Sequence, residues 1–240
     1  MKVLVIDDEK PTLSMFKLFL TAYGYQVFVA QSGEEGVAVY EKERPQIVFT
    51  DLKMPGIDGI EVLKRIHLLC KAHAKSVQVI IITGHGDMDK AIEALDLDAS
   101  DFISKPVAKK ALDASLKRAE LRIKQSSERK NFDEISFQRT DTKLRVKISG
   151  KLTSNSETTE KLGKYRNKSM LEGIESLCII FDQNFSIKKD GISWLMAFIS
   201  EIRDVGIEIT MEGLSYNYIR FFQMAGLHEI ATIIESNTEE

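Results

Sequence analysis

Five residues of this chain have types and placements that promise chemistry: Asp7, Asp8, Asp51, Thr83 and Lys105. Asp51 closes the apolar, partly β-branched run Ile47-Val48-Phe49, so a carboxylate sits where a buried strand stops. Asp7 and Asp8 follow the run Val3 to Ile6 in the same way, and Thr83 and Lys105 follow two more such runs. Carboxylates brought together repel one another and rise in pKa unless a divalent cation with oxygen ligands, Mg²⁺ being the natural one, neutralises them. A carboxylate polarised by such a cation and flanked by a lysine is set up as a nucleophile towards phosphorus.

The elements that must position these residues follow from the periodicity. Val3 to Ile6, Gln26 to Ala30, Ile47 to Asp51, Val77 to Ile82 and Asp101 to Ser104 are expected strands. Between them lie a helix carrying Met15, Phe16, Leu18, Phe19 and Leu20 and closed by Gly24, and helices over Gly33 to Lys42, from Ile60 through Leu63 and Ile66, and Met88 to Leu95. Five strands alternating with helices predict an α/β fold with a doubly wound five-stranded parallel sheet, because parallel strands need right-handed crossovers. The loops after strands one, three, four and five then share one edge, where such sheets bind ligands.

With the acidic pair Asp7-Asp8, Asp51 followed by Lys53-Met54-Pro55-Gly56, the step Thr83-Gly84, and Phe102 three residues before Lys105-Pro106, the stretch 1–125 resembles the receiver domain of two-component response regulators. That resemblance implies a flavodoxin-like fold in which Asp51 accepts a phosphoryl group from a histidine kinase. It further implies Mg²⁺ held by Asp7 or Asp8, by Asp51 and by the Lys53 backbone carbonyl. Thr83 and Phe102 would be the switch pair, Lys105 a phosphoryl contact, and Lys105-Pro106 a cis peptide.

Taken singly, each residue has a plainer reading: Asp7 or Asp8 as a helix N-cap, Phe102 as core, Lys105 as a solvated charge. A phosphatase resembling the haloacid dehalogenase superfamily is the rival enzyme, but its general acid would stand two residues after the nucleophile, where this chain has Lys53. The expectation is therefore a phosphoacceptor with at most slow autodephosphorylation, and not an enzyme.

Residues 1–106 are read as the receiver and 107–130 as a helical linker. Within the linker Leu112, Leu116, Ala119 and Ile123 recur at coiled-coil steps. This seam predicts either a homodimer or a helix packed on its own receiver. Lys109 to Lys130 holds eight Lys or Arg against three acids, a solvated face without a nucleic-acid recognition motif.

From 131 to 240 the pattern restarts as a second, smaller α/β domain. Strands are expected at Leu144 to Ile148, Leu177 to Phe181 and Ile207 to Met211. Helices are expected at Ile192 to Val205 with Leu195, Met196, Ile199 and Ile202 inward, and at Tyr218 to Ala225. Ser154 with Glu157 reads as a capping box opening a helix through Ile174. Residues 176–234 resemble the STAS domain of anti-sigma-factor antagonists, in which a serine or threonine at a helix start is phosphorylated. Here the corresponding stretch is Lys188-Lys189-Asp190-Gly191, without that hydroxyl; Asp190 reads as an N-cap or as a permanent mimic of phosphate.

Across 240 residues, 43% apolar and 29% charged composition suits a globular protein of two domains, and a net charge of −3 gives no whole-chain case for nucleic acid or anionic membrane. Cys70 and Cys178, each in an apolar run, suggest structural thiols in a reducing compartment. The opening MKVLVIDD predicts a strand and not a signal peptide, and a cytoplasmic location is expected. The functional expectation is a response regulator signalling through a protein partner of the STAS-like domain; the alternative is a transcription regulator with an atypical C-terminal domain.

Overall fold

The computed structural model describes residues 1–72, 76–84, 87–126 and 135–235 and divides into two compact units, Met1–Arg129 and Lys130–Glu240. The first unit is β1 (Lys2–Ile6), α1 (Lys10–Ala22), β2 (Gln26–Ala30), α2 (Gly33–Glu43), β3 (Ile47–Asp51), α3 (Gly59–Ala72), β4 (Gln78–Thr83), α4 (Met88–Asp96), β5 (Asp101–Ser104) and α5 (Lys109–Ser126). Its strands are all parallel in the order β2-β1-β3-β4-β5, which is the doubly wound sheet the alternation predicts. Every residue of β3 and β4 is buried, so continuous apolar runs, and not alternating ones, mark the centre of a sheet covered on both faces. Ser32 caps α2 by accepting from the Glu35 amide, and Pro11 stands in the first turn of α1, where its missing N–H costs nothing.

The helix read as a linker is the fifth helix of the first unit. Leu112, Leu116 and Ala119 are buried and α5 packs on β4 and β5, so the apolar seam is used inside the unit. Tyr25 Oη also donates to Glu120 on this helix at 2.6 Å. Of the two readings of this seam, packing within its own unit is the one the structure shows, the sheet covering the same apolar stripe that a partner helix would cover. The end of the linker reading, 127–130, lies outside the described residues.

The second unit contains β6 (Ile135–Arg139), β7 (Lys143–Ile148), β8 (Lys151–Leu152), α6 (Glu157–Gly163), β9 (Ser176–Phe181), β10 (Ser186–Ile187), α7 (Lys189–Asp204), β11 (Glu208–Glu212), α8 (Tyr216–Met224) and β12 (Thr232–Ile233). Its main sheet runs β12-β11-β9-β7-β6, parallel except for the β6–β7 pair, and β8 pairs with β10 apart from it. Ile148, Phe181, Met211, Leu195, Phe198, Tyr218 and Phe222 are buried in its core, where the Phe181 and Phe185 rings lie 4.4 Å apart. Phe198 takes the inward place expected of Met196, which is half-buried.

The capping box is also corrected. Ser156, not Ser154, is the N-cap of α6, its hydroxyl accepting from the Thr159 amide at 3.3 Å, and the helix stops at Gly163 before two short 3₁₀ turns that end at Leu171. We expect Ser156→Ala to cost the second unit about 1 kcal/mol, the ordinary worth of such a cap. Thermal unfolding checks this, with Ser154→Ala as the comparison that leaves α6 capped.

Candidate functional site

Strand register builds the site. Ile6 pairs with Thr50, so the residues just beyond, Asp7 and Asp51, leave neighbouring strands side by side. On the other flank Asp51 pairs with Ile82 and Thr83 with Ser104, which puts Thr83 and Lys105 at the same edge. Backbone bonds fix the exits: the Asp7 amide donates to the Ala30 carbonyl at 3.2 Å, Leu52 to Ile82 at 2.9 Å and Lys105 to Thr83 at 2.7 Å.

One carboxylate oxygen each from Asp7, Asp8 and Asp51 lies within 4.8 Å of the others. The Lys105 ammonium stands 3.1 Å from Asp51 Oδ1, 3.1 Å from Asp7 Oδ2 and 3.7 Å from Glu9 Oε2. Asp7 and Asp51 are buried while Asp8 is exposed, so the cluster opens on the Asp8 side. Asp7 Oδ1 accepts from the Glu9 amide at 2.8 Å. Asp7 Oδ2 is buried without a hydrogen bond, the lysine approaching it off the bonding direction. A set of hard oxygen donors in which two buried carboxylates share a single ammonium suits a small divalent cation.

The electrostatics express the same crowding. Burial pushes the Asp51 carboxyl up to about 6 against the pull of Lys105, with the Asp7 charge adding to the rise. Asp7 is likewise raised, chiefly by desolvation. For Lys105 burial acts to lower the pKa, but the Asp51 and Asp7 carboxylates outweigh it and the ammonium is held above its ordinary value. One ammonium against three carboxylates leaves the cluster short of positive charge.

Residues 3–117 match the response regulator receiver domain model. The chain is 35% identical over 105 residues to sporulation initiation phosphotransferase F of Bacillus subtilis, covering 44% of this chain and 82% of that protein. The chain belongs to the response regulator receiver family. Transcriptional regulatory protein AfsQ1 of Streptomyces coelicolor is 34% identical over 135 residues, 56% of each chain. The match thus spans about half the length of that regulator. A receiver domain crystal structure from Clostridium thermocellum is 35% identical, with a TM-score of 0.49, over 52% of this chain and 98% of that one.

The remaining expected residues fall as follows. In the receiver, Phe102 is buried on β5 in register with Ile81, and Lys105-Pro106 is a cis peptide. Thr83 is buried, its hydroxyl donating to the Gly84 carbonyl at 3.3 Å. Lys53 sends its ammonium to Asp87 Oδ1 at 2.6 Å, a partner that sequence reasoning missed because it lies on the far side of β4 in the chain. Gly59 was missed as well: a Cβ there would collide with the Asp51 carbonyl oxygen, so only glycine lets α3 start against the residue at the centre of the site. The Asp58-Gly59 step was the available signal.

In the second unit Asp190 is not an N-cap. Lys188 holds that position without a side-chain bond, and α7 begins at Lys189. The Asp190 carboxylate instead accepts from the Ser154 hydroxyl at 2.6 Å, the Ser154 amide at 2.9 Å and the Gly191 amide at 2.8 Å. Those bonds, the Ser154 hydroxyl foremost, hold its pKa below the ordinary carboxylate value. A residue 36 places away thus competes successfully for the oxygen that would have capped the helix. Among the described residues no helix is long and apolar enough to cross a membrane.

Proposed function

We propose that this protein is a phosphoryl-accepting response regulator in which Asp51 takes a phosphoryl group from a histidine kinase. The single observation that carries the reading is the Lys105 ammonium 3.1 Å from Asp51 Oδ1 beside a cluster of three carboxylates. The Asp51 oxygen attacks phosphorus, the bond from phosphorus to the donor breaks, and an acyl phosphate forms on Asp51. Lys105 is placed to draw charge from the phosphoryl oxygens. Asp7, Asp8 and Asp51, with the Lys53 backbone carbonyl, would hold Mg²⁺. When bound, that cation supplies charge neutralisation among the carboxylates and the incoming phosphoryl group. The test is labelling by a small-molecule phosphodonor with Mg²⁺, compared between wild type and Asp51→Ala.

Thr83 and Phe102 form the switch in this reading: Thr83 turns towards the phosphoryl group and Phe102 inward, changing a face of the receiver. The output is a STAS-like second unit that binds a protein partner. Its five-stranded sheet with helices supports this reading over a helix-turn-helix reader of DNA. With Lys189 and Asp190 at the helix start, and a fixed negative charge at the N-terminal turn of α7, control would pass to Asp51. Partner affinity is expected to differ about tenfold between phosphorylated and unphosphorylated full-length protein, within the range such couplings reach. A partner captured on the full chain and titrated against both states gives the measurement; equal affinities would exclude this form of control.

A further inference from the structure

Among the described residues, the main sheet of the second unit fully buries the side chains of one face only. Leu144, Val146, Ile148, Leu177, Ile179, Phe181, Ile209 and Met211 point inward, while the alternate residues of β7, β9 and β11 are exposed or half-buried. Parallel strands are ordinarily covered on both faces. The open face is also patterned. Register aligns Lys143 with Ser176 and Glu208, Arg145 with Cys178 and Thr210, and Lys147 with Ile180 and Glu212. A column of three bases on β7 therefore runs parallel to a column on β11 carrying two acids, with the uncharged strip Ser176, Cys178 and Ile180 between them. Arg145 already reaches over β9 to within 3.6 Å of Glu212, so side chains of the two columns are within each other's range.

We propose that this face docks a second copy of the chain through the same face. Its charges select one symmetry. A two-fold axis in the plane of contact and parallel to β9 exchanges left for right, so the bases of one copy lie over the acids of the other. An axis across the strands would instead set base on base. Such a contact is isologous, with Ser176, Cys178 and Ile180 meeting their own counterparts on the axis. Four strands about 4.8 Å apart and five or six residues long, with the two-residue β12 beside them, present roughly 400 Å² per copy, which is small for a stable interface. The dimer is accordingly weak, and it weakens as salt rises.

Sedimentation velocity on the full-length chain tests this up to several hundred micromolar. Wild type should associate and lose association in high salt. Reversing the basic column (Lys143→Glu, Arg145→Glu, Lys147→Glu) should give a monomer, as should reversing the acidic column (Glu208→Lys, Glu212→Lys). An equimolar mixture of the two variants should associate again at least as tightly as wild type. All five positions are exposed or half-buried, and circular dichroism checks that the variants remain folded. A short bifunctional maleimide should link two chains through Cys178, and Cys178→Ser should abolish the link. A wild type that stays monomeric, an association unaffected by reversing either column, or a variant mixture that fails to associate would each overturn the proposal.

Discussion

Asp51→Ala is expected to abolish phosphoryl transfer from a small-molecule donor, at least 100-fold below wild type, when full-length protein is incubated with Mg²⁺ and followed by intact mass. Neither neighbouring carboxylate can stand in. Asp7 is fully buried with one oxygen engaged by the Glu9 amide, and Asp8 is exposed away from the lysine contacts made by Asp7 and Asp51. Lys105→Met keeps the acceptor and removes the cation, so it should slow labelling by about 100-fold without eliminating it, the usual cost of losing one charge-stabilising donor. Equal labelling of Asp51→Ala and wild type would place the acceptor elsewhere.

The second large effect is on stability. In chelator, Asp51→Asn should stabilise the receiver at pH 7.5, and the gain should vanish towards pH 4. The sign follows from proton binding: the Asp51 carboxyl titrates at about 6 in the folded chain against an ordinary value of 3.8. Between these values the native state holds more protons than the unfolded state, so stability falls as pH rises, and above about pH 6 the full penalty is present. A shift of about two units corresponds to at most about 3 kcal/mol. Lys105 loses one of its two close carboxylates in the variant, which offsets part of the gain, leaving about 1 to 2 kcal/mol. Denaturant unfolding at pH 4, 6 and 7.5 measures it; a variant less stable than wild type at pH 7.5 would show that the Lys105 pairing outweighs burial of the charge. Saturating Mg²⁺ should shrink the difference, since the cation stabilises the wild-type carboxylate cluster.

Much of the receiver was legible because its signals are local. A buried parallel strand must be a continuous apolar run, and its end must be polar, so Val3 to Ile6 followed by Asp7 and Ile47 to Thr50 followed by Asp51 announce both the strand and the site residue. The crossover rule then orders the strands and brings those ends to one edge. Asp7, Asp8, Asp51 and Lys105 meet as that reasoning requires. In the second unit β7 was readable from a different local signal, the alternation of apolar and basic residues that marks a half-exposed strand, and β9 from its apolar run Leu177 to Phe181. The two-residue strands β8, β10 and β12 were not, since two residues carry no period.

What tertiary structure alone decided were the choices between partners that the sequence leaves equivalent. The Leu112, Leu116 and Ala119 stripe demands cover but does not specify it; packing on β4 and β5 settled that the receiver's own sheet provides it. Ser154 and Asp190 each have a local capping role available, yet they bond to each other across 36 residues and leave the caps to Ser156 and to the backbone at Lys188. Lys53 and Asp87 are far apart in the chain and adjacent only because β3 and β4 lie side by side. Hydrophobic period and turn chemistry are properties of neighbouring residues and can be read from the order of the chain. Which of several competent partners a side chain meets depends on strand register and on which face a helix buries, and those are fixed only when the whole core closes.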